Sequence, residues 1–308
     1  MDATRQALSS GRWHFQHGPI DIVIGADGEP AAVAAAHEAA WQRFRGVLAE
    51  LVAELATLRR ALVGPCPLRG PVARRMWWAC RPYRSAFITP MAAVAGAVAQ
   101  ELVAFYRRQG IARAWVNNGG DIALHLSGDA QVRVGLYADL AAFDAEAAAR
   151  SLHGGLHADA AFTVGAAMPV RGIATSGWRG RSFSLGIADS VTVLAKTAAE
   201  ADAAATMIAN AVDVDDDRIV RRPANEIKDD SDLGAIPVTV DVPPLPAGTV
   251  AEALAAGRRR ARELRATGLI HDAALVCQGR LARLADDDLL VLPRRSGCGQ
   301  TPSPALVQ

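Results

Sequence analysis

Residues 190–206 read SVTVLAKTAAEADAAAT. The run SVTVLA alternates as a half-buried strand does. It leads into Thr197-Ala-Ala-Glu200, which has capping-box spacing: the threonine hydroxyl accepts an early helix N–H and the glutamate reaches back. The pattern predicts a strand over 190–195 and a helix over 198–211. On that helix Asp202 and Thr206 lie four residues apart and share one face, with alanines around them. A carboxylate and a hydroxyl in the first two turns are hard oxygen ligands suited to Mg²⁺, which also keeps waters or binds substrate phosphates. The same residues also fit a plainer reading, an acidic side chain stabilising the positive end of a helix.

Outward from this transition, strand pairs joined by short turns alternate with helices, without the strict rhythm of a doubly wound sheet. That favours an α+β fold, with mixed or antiparallel sheets packed against helices. Residues 12–26 read as a hairpin turning at His17-Gly18-Pro19, and an Ala-rich helix is expected over 31–62. The Pro- and Gly-bearing stretch 64–87 reads as irregular. A helix over 88–109 has Thr89 as its N-cap, Pro90 at the first position and Gly110 as its stop. Strands follow at 111–116, 121–126 and 132–137, then a helix at 140–151 and strands near 170–175, 182–188 and 190–195. Residues 213–234 read as a surface excursion. A strand at 237–242, a helix at 249–267 and a last strand at 271–278 complete the order. Residues 1–293 are expected to form a single domain, and 294–308 a disordered tail.

Three further segments carry small polar groups. Asn117-Asn118-Gly119-Gly120-Asp121 lies between two strands, where paired glycines expose backbone N–H groups that a phosphate could approach. The same residues also make a good hairpin turn. Gly172-Ile-Ala-Thr175-Ser176-Gly177 places hydroxyls at a strand end, as a phosphate site or as a polar terminus. Thr89 to Gly96 opens a helix that is small and apolar, which suits close packing. Arg179 and Arg181 beside Gly177 are candidates for pairing with phosphate or for solvated loop positions.

A formal net charge of +1 gives no electrostatic case for nucleic acid or a membrane surface. No apolar run is long enough to span a bilayer. No secretory signal is evident at the N-terminus, so a cytoplasmic location is expected. Cys66, Cys80, Cys277 and Cys298 are widely spaced and read as free thiols. His153 and His157 bracket two glycines, which disfavours a helical metal pair. The acidic run Asp213 to Asp217 lacks the pattern of a calcium loop.

Taken in order, TPMAAVAG, NNGGDI, GIATSG and SVTVLAKTAAEADAAAT resemble the ApbE family, the FAD-dependent protein:FMN transferases or flavin-trafficking proteins. The likeness covers roughly residues 85–212. The family's A-K-G helix start looks like Val94-Ala95-Gly96. Its N-x-G-G-D-I turn looks like Asn117 to Ile122, its A-T-S-G strand end like Ala174 to Gly177, and its A-D-A-x-A-T helix like Ala201 to Thr206. The resemblance implies an ApbE-like fold and a flavin nucleotide, FAD or FMN, held at Asn118, Gly119, Gly120, Asp121, Thr175, Ser176 and Gly177. It also implies Mg²⁺ on Asp202 and Thr206. The family's usual lipoprotein signal is not evident, and two motifs depart from those of the transferases. The family's H-x-x-D-P-x-T-G motif is replaced by WRGRSFSLGIAD (178–189), and the A-K-G lysine is Ala95. With FITPMAAVAG and Ser231-Asp-Leu-Gly234, the pattern is similar to a sister group of ApbE-like proteins without that motif.

The resemblance implies that the histidine of that motif helps activate the acceptor hydroxyl. Losing a positioned base costs about 10²–10⁴-fold in rate, and Asp189 or His157 are the substitutes in sequence. The activity implied is Mg²⁺-dependent FAD:protein FMN transfer. The alternatives are a non-catalytic flavin- or nucleotide-binding accessory protein and an enzyme of altered reaction on the same fold. The partners implied are a flavin nucleotide and a protein acceptor, with homo-oligomerisation left open and neither nucleic acid nor membrane expected.

Overall fold

The computed structural model describes residues 2–136, 160–180, 182–284 and 290–291. Its strands are β1 (Thr4–Ala7), β2 (Trp13–His17), β3 (Ile20–Gly28), β4 (Ile111–Asn118), β5 (Asp121–Leu126), β6 (Gln131–Leu136) and β7 (Ala160–Gly165). They continue with β8 (Gly172–Ser176), β9 (Ser190–Ala195), β10 (Val220–Pro223), β11 (Pro237–Asp241), β12 (Asp272–Cys277), β13 (Arg280–Arg283) and β14 (Leu290–Val291). Ten of these form one sheet in the order β1-β2-β3-β4-β5-β8-β9-β12-β13-β14. Every neighbouring pair in it is antiparallel. The strands β6 and β7 pair separately, as do β10 and β11.

The helices are α1 (Pro30–Ala53), α2 (Leu55–Leu58), α3 (Pro71–Cys80), α4 (Val94–Val103), α5 (Ala198–Ala211), α6 (Ala224–Ile227) and α7 (Ala247–Ala266). Helices and a large antiparallel sheet together make the α+β class that the sequence predicts. The two-residue period of β5 explains how the sheet is buried on both sides. Ile122, Leu124 and Leu126 enter a smaller apolar cluster with Val132, Val134 and Val164 of the β6–β7 pair, while Ala123 faces the main core. On the main-core side, α4 and α5 pack against each other and against the sheet.

Several local expectations are corrected. The helix expected over 31–62 ends at Ala53, and a short turn of helix follows at Leu55–Leu58. The stretch 64–87 is not wholly irregular, because Pro71 starts α3. A proline at the first helical position loses no hydrogen bond, and Val72, Met76 and Trp77 give the helix a buried face. The helix expected over 88–109 is a 3₁₀ turn (Pro90–Ala93), then α4, then another 3₁₀ turn (Ala104–Tyr106).

Residues 182–188 form no strand. Their backbone is used by the end of α5 instead: Leu185 N–H donates to Asn210 Oδ1 at 2.9 Å, and Ile187 N–H to Val212 O at 2.8 Å. The excursion 213–234 contains β10 and α6, and β12 is followed by two more strands. The expected helix at 140–151, His153, His157, Arg181, Cys298 and the tail from 294 lie outside the described residues. Among the described residues, Cys66, Cys80 and Cys277 are free thiols, and no helix is long and apolar enough to cross a membrane.

Candidate functional site

The local structure around Asp202 follows the predicted strand-to-helix transition. Thr197 caps α5: its Oγ1 accepts the Glu200 N–H at 3.3 Å and its hydroxyl donates to the Glu200 carboxylate at 3.0 Å. The glutamate therefore reaches back to the threonine hydroxyl rather than to its backbone N–H. Gly96, in the first turn of α4, lets the two helices meet closely. A Cβ there would stand 2.3 Å from the Ala198 carbonyl oxygen and 2.9 Å from Asp202 Cβ. The approach brings the Gly96 N–H within 2.9 Å of Asp202 Oδ2. Burial raises the Asp202 carboxyl to about 7, and the backbone N–H groups of Gly96 and Ala95 pull it back towards the charged form.

The turn between β4 and β5 is built from the same logic. Gly119 and Gly120 have φ of 65° and 110°, which side-chain-bearing residues adopt only under strain. Asn117 Oδ1 accepts the Gly120 N–H at 2.8 Å and closes the turn. Buried Asp121 accepts the Thr175 N–H at 3.2 Å, tying this turn to the end of β8. Thr175 Oγ1 lies 2.9 Å from Thr192 Oγ1 on β9.

All of these segments border one cavity of about 370 Å³, within the range of small-molecule sites. Of the residues proposed from sequence, Gly119, Gly120, Asp121, Thr175, Ser176, Gly177, Asp202 and Thr206 line it. Asn118 does not. Its side chain is buried and donates to the Ala95 carbonyl at 3.1 Å, so it shapes the wall from behind. Asp189 is not on the wall either. It is buried, accepts the Gln278 N–H, and lies 3.2 Å from Arg179 Nε. Arg179 does border the cavity, and its guanidinium sits over the Trp178 ring.

One whole side of the cavity comes from a stretch that reads in sequence as a surface excursion, 213–234: Lys228 and Asp230 to Leu233 line it. Asp232 accepts a hydrogen bond from Thr89, and Arg59 holds the Asp230 carboxyl below the usual carboxylate range. Thr89 thus holds the N-cap position before Pro90, but its hydroxyl anchors this distant stretch instead of capping the turn. Ser231-Asp-Leu-Gly234 was the one signal in the sequence, a likeness without an assigned role. Asn210, one turn beyond Thr206 on the same face of α5, also lines the wall and was legible from spacing.

The donor set suits a hard cation in company with a ligand. Asp202 and Thr206 offer two oxygens from one helix face. Among the described residues no group of three or more His, Cys, Asp or Glu could hold a metal. Two protein oxygens completed by water or phosphate is a common magnesium arrangement. Apolar side chains of Phe87, Met91, Phe183 and Leu233 border the same cavity. One ligand carrying both an apolar body and a phosphate matches that wall.

A model of the family described as AbpE bacteria matches residues 5–283. Among curated proteins, the UPF0280 protein of Methanospirillum hungatei is 37% identical over 141 residues, covering 46% of this chain and 52% of the relative. The UPF0280 protein of Methanothermobacter thermautotrophicus is 39% identical over 165 residues, covering 52% of this chain and 56% of the relative. These two matches therefore span only about half of each relative's length. The match to the UPF0280 protein of Methanopyrus kandleri is longer, 35% identical over 212 residues, with 68% and 78% covered.

Proposed function

Because the chain belongs to the AbpE bacteria family, we propose that its cavity binds a flavin nucleotide with Mg²⁺ and serves an FAD:protein FMN transferase-like reaction. One observation carries this reading. Asp202 and Thr206, the Gly119–Asp121 turn and the Thr175–Gly177 strand end meet on a single cavity from three distant parts of the chain.

In this reading Asp202 and Thr206 hold the metal, and Gly96 fixes the carboxylate that does so. The backbone N–H of Gly119, with the hydroxyls of Thr175 and Ser176, takes phosphate oxygens. Phe87, Met91 and Phe183 flank the apolar body of the ligand. When bound, Mg²⁺ supplies charge stabilisation to the pyrophosphate. A Ser or Thr hydroxyl of a protein partner is the acceptor in this reading.

A second reading, flavin holding without transfer, is favoured by the wall itself. Among the described residues lining it there is no histidine, and Asp189 is engaged by Arg179 and Gln278 away from the cavity. Incubating the purified protein with FAD and Mg²⁺, then separating nucleotides by chromatography, decides between the two. AMP release that disappears in Asp202→Ala supports transferase chemistry. FAD recovered intact with the protein supports holding, and FAD that does not bind at micromolar protein rejects both.

A further inference from the structure

Three charged residues at the exposed rim of the cavity belong to none of the segments that framed the site. Arg59 follows α2, while Lys228 and Asp230 lie between α6 and β11. Asp230 Oδ2 accepts from Arg59 Nη2 at 2.8 Å, and Asp230 Oδ1 lies 3.8 Å from Lys228 Nζ. Their side chains are 33%, 65% and 57% exposed for Arg59, Lys228 and Asp230. An exposed ion pair of this kind contributes little to folding. The fold has a better anchor two residues on, where Asp232 accepts a hydrogen bond from buried Thr89. The stretch therefore stays against the cavity whether or not Asp230 keeps its cations.

A carboxylate hydrogen-bonded by a guanidinium, with an ammonium 3.8 Å away, occupies the place that the same two cations offer a phosphate oxygen. We propose that Arg59 and Lys228 form an anion subsite for a phosphate group at the rim of the cavity, and that Asp230 is a built-in competitor for it. The subsite is separate from Asp202 and Thr206, and it rests on the reading of this cavity as a nucleotide site. It assigns a role to a part of the chain that the sequence motifs leave without one.

The direct test is calorimetric titration of the full chain with inorganic pyrophosphate, at fixed ionic strength and without divalent cations. Asp230→Asn is expected to bind roughly 3-fold tighter or more, and Arg59→Gln to weaken binding by about as much. Arg59→Gln is expected to cancel the gain when combined with Asp230→Asn. Asp229→Asn is the control, since Asp229 is exposed and does not line the cavity but carries the same charge. Three results overturn the proposal: unchanged affinity in Asp230→Asn, an equal gain in Asp229→Asn, and no pyrophosphate binding at millimolar concentration. An FAD titration with Mg²⁺ on the same wild-type protein keeps the two readings apart. If FAD fails to bind while the pyrophosphate series behaves as expected, the flavin reading falls and the anion subsite stands.

Discussion

The Asp202 carboxylate on α5 accepts the backbone N–H of Gly96 on α4 at 2.9 Å. The relationship is possible because Gly96 has no Cβ: one would stand 2.3 Å from the Ala198 carbonyl. Packing of two helices and placement of a candidate metal ligand are thus one feature of the chain.

Gly96→Ala should therefore disturb both. The added methyl meets backbone rather than a flexible side chain, so the helices must separate, at a cost of about 1–3 kcal/mol. Urea unfolding is the measurement, and a midpoint unchanged from wild type would contradict the close-packing account.

Asp202 makes a pH-dependent prediction. Its folded-state value of about 7 lies above the ordinary carboxyl value, because burial disfavours the charge. The folded chain then holds an extra proton between about pH 4 and 7, so stability falls as pH rises through that window. Asp202→Asn removes this slope. In buffer without divalent cations, the variant should gain on wild type between about pH 4 and 7 by urea midpoints. Parallel pH profiles for the two proteins would refute it.

His37 makes a prediction of opposite sign. It is buried beside Tyr106, with Nδ1 2.6 Å from the phenol oxygen, and burial lowers it to about 4. The unfolded chain takes the proton first as pH falls from about 6.5, so stability drops between about pH 6.5 and 4 by up to ~3 kcal/mol. His37→Gln should flatten that acid limb in denaturation curves. An equally steep limb in the variant would place the titrating group elsewhere.

Asn118 tests shaping of the wall from behind. Asn118→Ala removes the hydrogen bond to the Ala95 carbonyl and leaves that carbonyl without this donor. The expected cost is about 1 kcal/mol of stability, with a weaker affinity for FAD. Thermal melts and flavin titrations read the two effects separately. Unchanged affinity in a destabilised variant would confine Asn118 to folding.

The site was legible where its chemistry is local in sequence. Thr197 and Glu200 announce a helix, Asp202 and Thr206 share its face by spacing, and Gly119-Gly120 demands a turn with positive φ. Each signal needs only a few neighbouring residues to be read. What was missed depends on long-range packing. Thr89 reads as a helix cap from its place before Pro90, yet its hydroxyl serves Asp232 across the fold. The acidic and basic residues of 213–234 look like any solvated loop, because nothing local says that Thr89 draws them onto a cavity wall. Residues 182–188 alternate like a strand, but the Leu185 and Ile187 N–H groups find partners at the end of α5. The stretch 64–87 reads as irregular because a proline such as Pro71 breaks a helix or begins one, and the buried face that decides between them is tertiary.

In the proposed function, Asp202 and Thr206 make this cavity a Mg²⁺-dependent flavin-nucleotide site. The most direct measurement is a fluorescence titration of purified protein with FAD, with and without Mg²⁺, on wild type, Asp202→Ala and Thr206→Val. Binding is expected to strengthen with Mg²⁺ in wild type and to lose that dependence in both variants. Binding that ignores Mg²⁺ and both substitutions, or no binding at micromolar protein, would contradict it.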